Sequence, residues 1–90
     1  MQENTELRLL LSQDDPELLF ADGYDGAIIG ISNCIGSPDV VVYSRSKCIE
    51  ILIADGMDPE DAQEYFDYNT AGSYVGERTP IFITTIEDLL

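Results

Sequence analysis

The chain has no histidine and no tryptophan, and its 90 residues include only two cysteines and four basic side chains. Each scarcity removes a class of function. Without histidine, a serine or cysteine nucleophile lacks its usual general base, and a zinc or iron–sulfur site would depend on thiolates that are too few and form no CxxC pair. Arg8, Arg45, Lys47 and Arg78 cannot neutralise eighteen carboxylates, and the net charge of −14 repels both phosphate backbones and anionic lipid. No apolar run approaches the roughly 18 residues of a membrane span. The opening Met-Gln-Glu-Asn carries no secretory signal, so the cytoplasm is the expected compartment. There is no Walker loop, no GxGxxG and no GxSxG, and neither an enzyme nor a cofactor is expected.

What remains is a well-stocked core. Apolar residues make up 44 % of the chain and are spread along all of it, which distinguishes the sequence from a disordered acidic tail. No repeat, low-complexity tract or linker divides it. Residues 1–90 therefore read as one domain, with residues 1–14 a candidate loosely attached N-terminal extension. A domain this short buries only about 60–65 % of its unfolded surface, so modest stability is expected and homo-oligomerisation would help.

Leu7, Leu9, Leu10 and Leu11 fit a half-buried strand or a helical turn equally well. Asp15-Pro16-Glu17 predicts a short helix, ended by Gly23 and Gly26. Ala27 to Ser32 predicts a buried strand in which Gly30 marks a bulge or a close neighbour, and Val40-Val41-Val42-Tyr43 predicts a second. The turn signal Ser37-Pro38-Asp39 joins them as a hairpin with a loop of about eight residues.

A helix follows, capped by Ser44 or Ser46 and ended at Gly56, with Cys48, Ile49, Leu52 and Ile53 on its inner face. Asp58-Pro59 starts another, in which Ala62, Tyr65, Phe66 and Asn69 share the face towards the sheet. Ile81 to Thr84 supplies a third strand. The expected architecture is α+β: a small three-stranded, mainly antiparallel sheet against two or three helices, in the order (α)ββααβ. Cys34 and Cys48 are expected to be buried thiols, with a disulfide between them as the alternative.

Two acidic turns superficially resemble calcium loops. The spacing of Asp22-Gly-Tyr-Asp25-Gly26 is wrong for an EF-hand, and in Asp55-Gly-Met-Asp-Pro-Glu60 a methionine stands where a ligand belongs, so no metal site is expected. The informative acids are Asp55, Asp58, Glu60, Asp61, Glu64 and Asp67, which crowd a single segment with no base among them. Like charges at i and i+4, as in Glu60 and Glu64, weaken a helix by roughly 0.2–0.5 kcal/mol per pair. They are explained either as a solvated helix face or as an array that occupies a protein groove built for DNA or RNA. Arg78 either pins its own loop by pairing with an acid or, with Tyr74, stands exposed as a hot spot for a partner.

The stretch from Val40 to Ile83 resembles a group of short uncharacterised tailed-phage proteins that share the pattern KCIEIL…DGM…EYF…N..G.YVGE.TPIF. An upstream AIIG strand matches Ala27 to Gly30. The chain departs from the group at Gln63, where an apolar or small residue is usual, and in its acidic N-terminal extension. The resemblance implies a phage origin, the host cytoplasm as location, and a compact α/β fold; it implies no particular activity.

Charge and resemblance together suggest an accessory protein that binds and inhibits a basic, nucleic-acid-handling protein. Its candidate partner-binding residues are Asp58, Glu60, Asp61, Glu64, Asp67, Tyr74 and Arg78. Two alternatives are a small-ligand or metal-binding protein, with a pocket between the loop 72–80 and the start of the first strand and with Tyr74 and Arg78 as its contacts, and a structural subunit of a homo-oligomer.

Overall fold

The computed structural model describes residues 2–71 and 76–90, and side chains from Leu7 onward with the exception of 70–75. Along the chain run helix α1 (Gln2–Asp14), strand β1 (Ile28–Ser32), strand β2 (Val40–Ser44), helix α2 (Arg45–Ala54), helix α3 (Pro59–Phe66), strand β3 (Ile81–Ile83) and the short helix α4 (Ile86–Leu89). A 3-10 turn at Asp25–Ala27 leads into β1, and a π-helical turn at Asp67–Ala71 extends α3. This is the expected α+β arrangement.

β2 is the central strand, in the order β1-β2-β3. β1 and β2 pair antiparallel around the loop 33–39, and the register slips between Ile28 and Gly30. No atom outside the adjoining chain comes within 4 Å of where a Gly30 side chain would begin, so this glycine marks a bulge and not a close approach. β2 and β3 pair parallel, through Val42–Ile81, Tyr43–Phe82 and Ser44–Ile83. The sheet is therefore mixed, with one pairing of each kind. Residues 45–80, which carry α2 and α3, provide the long crossover that a parallel neighbour requires.

The helices start and stop where local chemistry directs. Ser44 is the N-cap of α2, and its hydroxyl accepts from the Lys47 amide at 3.3 Å. Gly56 follows with φ of +111°, a backbone state that an L side chain resists. Pro59 opens α3, where its missing N–H costs nothing.

Several expectations need correction. β1 is not a buried strand, since none of Ile28–Ser32 is buried, and Asn69 does not face the sheet but is exposed. Asp15-Pro16 does not begin a helix. Asp15 follows the end of α1, and its side chain accepts from the Glu17 amide at 3.1 Å while its carbonyl accepts from Leu18, which closes a turn. A residue before proline is steered away from helical angles, so α1 stops there. Ile53 is not on the inner face of α2 but exposed, whereas Cys48, Ile49 and Leu52 are buried. Cys34, expected to be buried, is exposed in the hairpin loop; Cys48 is buried, and both thiols are free.

One face of the sheet meets α2 and α3. Val41, Tyr43, Cys48, Leu52, Ala62 and Phe66 form the centre of the core, with Ile28, Ile31 and Phe82 packed against it. Phe66 stands edge-on to Phe82 at 5.0 Å and to Tyr24 at 5.9 Å between ring centres, a favoured aromatic geometry. Tyr43 lies 5.2 Å from Phe82 and accepts from the Ala21 amide through its hydroxyl at 2.7 Å, which ties the segment before β1 to the central strand.

Candidate acidic docking surface

Helix α3 takes its orientation from Ala62 and Phe66, which are one turn apart and both fully buried. That stripe fixes where every other α3 side chain points, because helical positions three or four apart share a face and their neighbours do not. Asp58, Glu60, Asp61 and Glu64 are exposed. Asp58, the N-cap residue, makes no capping hydrogen bond with its side chain. Asp58, Glu60 and Asp61 line, with Pro59, an open hollow of about 350 Å³. At the positive end of a helix, first-turn carboxylates are favoured, which accounts for Glu60 and Asp61 but not for Glu64, one turn further on.

The remaining sequence-derived site residues are placed differently. Asp67 is engaged: Nη2 of Arg45 donates to its two carboxylate oxygens at 2.9 and 3.0 Å. The same guanidinium lies 5.9 Å from the ring centre of Phe66. Arg45 is thus a base for the acidic segment that its local sequence does not reveal, because it comes from α2. Arg78 belongs to another constellation. Its Nη1 donates to Asp15 at 2.5 Å and to the Asp39 carbonyl at 3.2 Å, so it joins the segment after α1, the end of the hairpin loop and the approach to β3. The guanidinium holds the Asp15 carboxyl below its ordinary range, helped by the Glu17 amide, and the carboxylate in turn raises Arg78. Arg78 is the loop pin and not an exposed anchor. Tyr74 lies outside the described residues.

The other two bases also face acids. Arg8 pairs with Asp22 at 3.1 Å and Asp25 at 3.5 Å. Asp88 is held below the usual carboxylate range mainly by the Ser46 hydroxyl, with Thr85 and the charge of Lys47 contributing. The three arginines therefore lie against carboxylates of the same molecule, whereas the exposed Lys47 acts on Asp88 only through its charge.

Sequence reasoning missed two aromatic groups beside the acids. Tyr65, expected in the core, is 44 % exposed, and Tyr68 is 87 % exposed. They flank Phe66 at positions that cannot share its inward direction. The helical period could have shown this once Ala62 and Phe66 were chosen as the buried pair.

Among the described residues no group of three or more cysteine, aspartate or glutamate side chains is gathered to hold a metal ion. A second hollow, of about 510 Å³, lies between the hairpin loop and residues 76–81. It adjoins the end of β1 and the start of β2, not the start of β1, and Arg78 does not line it. No helix among the described residues is long and apolar enough to cross a membrane. In comparisons with family models, curated proteins and solved structures, nothing matches the chain.

Proposed function

We propose that this acidic α+β protein is an accessory protein of phage type that binds a basic, nucleic-acid-handling protein and inhibits it by occupying the groove meant for the nucleic acid. The observation that carries the proposal is the disposition of charge. The three arginines are paired with internal carboxylates, and Asp58, Glu60, Asp61 and Glu64 project from α3 without an ion pair among the described residues. Glu60 and Glu64 stand one helical turn apart, about 6 Å along the axis, a repeat suited to cationic side chains that otherwise track a phosphate backbone. Tyr65 and Tyr68 add exposed aromatic area of the kind that anchors interfaces.

Long-range attraction of this sort speeds encounter and weakens as salt shortens its range to about 8 Å at physiological strength. The test is capture from host lysate on the tagged protein at low and high salt, read by mass spectrometry, beside a Glu60→Lys/Glu64→Lys variant. Expected is a nucleic-acid-handling protein that high salt releases, its own nucleic acid displaces and the variant fails to retain. Capture that is indifferent to salt and to the substitutions, or no capture at all, overturns the proposal.

A further inference from the structure

The face of the sheet turned away from α2 and α3 departs from the usual rule for small sheets, in which the open face alternates to polar residues. Register places Gly30, Val42 and Ile81 side by side on it, with Ser32 and the buried Val40 beyond them at one end and Ile83 beside the buried Ser44 at the other, so that its accessible part runs along Val42 and β3. Ile81 is 40 % exposed and Ile83 39 %, and the bulge residue Ile29 is 41 % exposed. The three strands, IIGIS, VVVYS and IFI, contain no charged residue, although charged residues make up 24 % of the chain. Edge strands normally carry a charge that discourages pairing, and neither β1 nor β3 does. At the Val40 end the face runs into the 510 Å³ hollow, whose walls include Ser32, Cys34, Pro38, Val40, Glu77 and Ile81.

Charge decides what covers this surface. A second copy would bring another net charge of −14 against a rim that holds Glu77 in the wall of the hollow, with the exposed Glu87 following β3 in the chain. A cationic segment meets the opposite condition. Resting on the basic-partner reading above, we propose that the open sheet face and the adjoining hollow dock an extended partner segment in which apolar and basic residues alternate. The apolar side chains lie on Val42, Ile81 and Ile83, and the basic ones reach the acidic rim. α3 then attracts the partner, and the sheet holds it.

The exposed Cys34 in the wall of the hollow permits a direct test, because Cys48 is buried and leaves a single accessible thiol. An environment-sensitive fluorophore on Cys34 of the full chain is titrated with two synthetic peptides of equal charge, one alternating lysine with valine and the other lysine with serine. The expected result is a saturable spectral shift with the valine peptide only, weakened roughly tenfold by Ile81→Thr/Ile83→Thr, which removes apolar contact but keeps β-branched side chains. Circular dichroism confirms that the variant is folded, and retention of the shift in a folded variant counts against the proposal. Equal binding of both peptides by calorimetry with a silent fluorophore, abolished by Glu60→Lys/Glu64→Lys, overturns the sheet face and leaves the α3 reading standing. Binding of neither peptide overturns both. A spectral change with protein concentration alone, with a dimer mass in sedimentation, shows that a second copy covers the face and overturns the proposal.

Discussion

Tyr43 joins three parts of the molecule through one side chain: its ring meets Phe82, its backbone pairs with β1 and β3, and its hydroxyl holds the Ala21 amide. Replacement by phenylalanine keeps the ring but leaves that amide without its partner, at an expected cost of about 1–2 kcal/mol in urea unfolding. Burial pushes the phenol up to about 12, and Cys48, also through burial, from 9.0 to about 12. The unfolded chain therefore loses these protons at lower pH than the native one. Stability falls as pH rises from about 9 towards 12, and Tyr43→Phe should flatten the upper part of that decline. A thiol reagent should modify Cys34 at once and Cys48 only after denaturant is added, a two-step titration that a single spectrophotometric trace resolves. Asp15 has the opposite sign. Its carboxyl is held low by Arg78, so its contribution is present above the ordinary carboxylate range and disappears as pH falls through the native value. Asp15→Asn should lower the Tm at neutral pH and make its dependence on acid shallower. The role of this residue could not be read locally, because the partner that defines it lies 63 positions away.

Elements governed by their own neighbours were legible. Ser44 caps, Gly56 stops, Pro59 starts, and a run of β-branched residues makes a strand; each follows from contacts within a few residues. What the sequence hid was set by packing. The pattern of α3 admits both Tyr65 and Phe66 as inward aromatics, and only the positions of Tyr24 and Phe82, which close on Phe66 from two sides, decide between them. The parallel pairing of β3 was hidden for the same reason, since three short apolar strands fit either direction. Phe66 is the point where α3 and the sheet interlock, and Phe66→Ala should cost about 3–5 kcal/mol, measured by urea denaturation. For a domain at the low end of the usual range of about 5–15 kcal/mol, as a chain this short should be, that loss would leave a substantial unfolded population. The exposed Glu60 and Glu64 have no such stake in the fold, so the reversal that tests docking leaves this core intact.

For the molecule as a whole, the net charge of −14 acts on the fold as well as on any partner. Self-repulsion is greater in the compact state than in the expanded chain, so added sodium chloride should raise the Tm, while the same addition weakens binding to a basic protein. Opposite salt responses of stability and affinity in one preparation would separate the two effects. The order of the sheet also divides the chain in time. Pairing β1 with β2 closes only the loop 33–39, whereas pairing β2 with β3 closes residues 45–80, a connection about five times longer that costs roughly 1.4 kcal/mol more to close. The hairpin can form from a local search, but the last strand must wait for two helices to bring it back. In the native protein the same asymmetry makes β3, three residues long with a neighbour on one side only, the section that lets go first. Amides of Ile81 to Ile83 should exchange with deuterium well before those of Val41 to Tyr43, and each brief release bares one flank of the central strand, so that the sheet has the lifetime of its last-joined member.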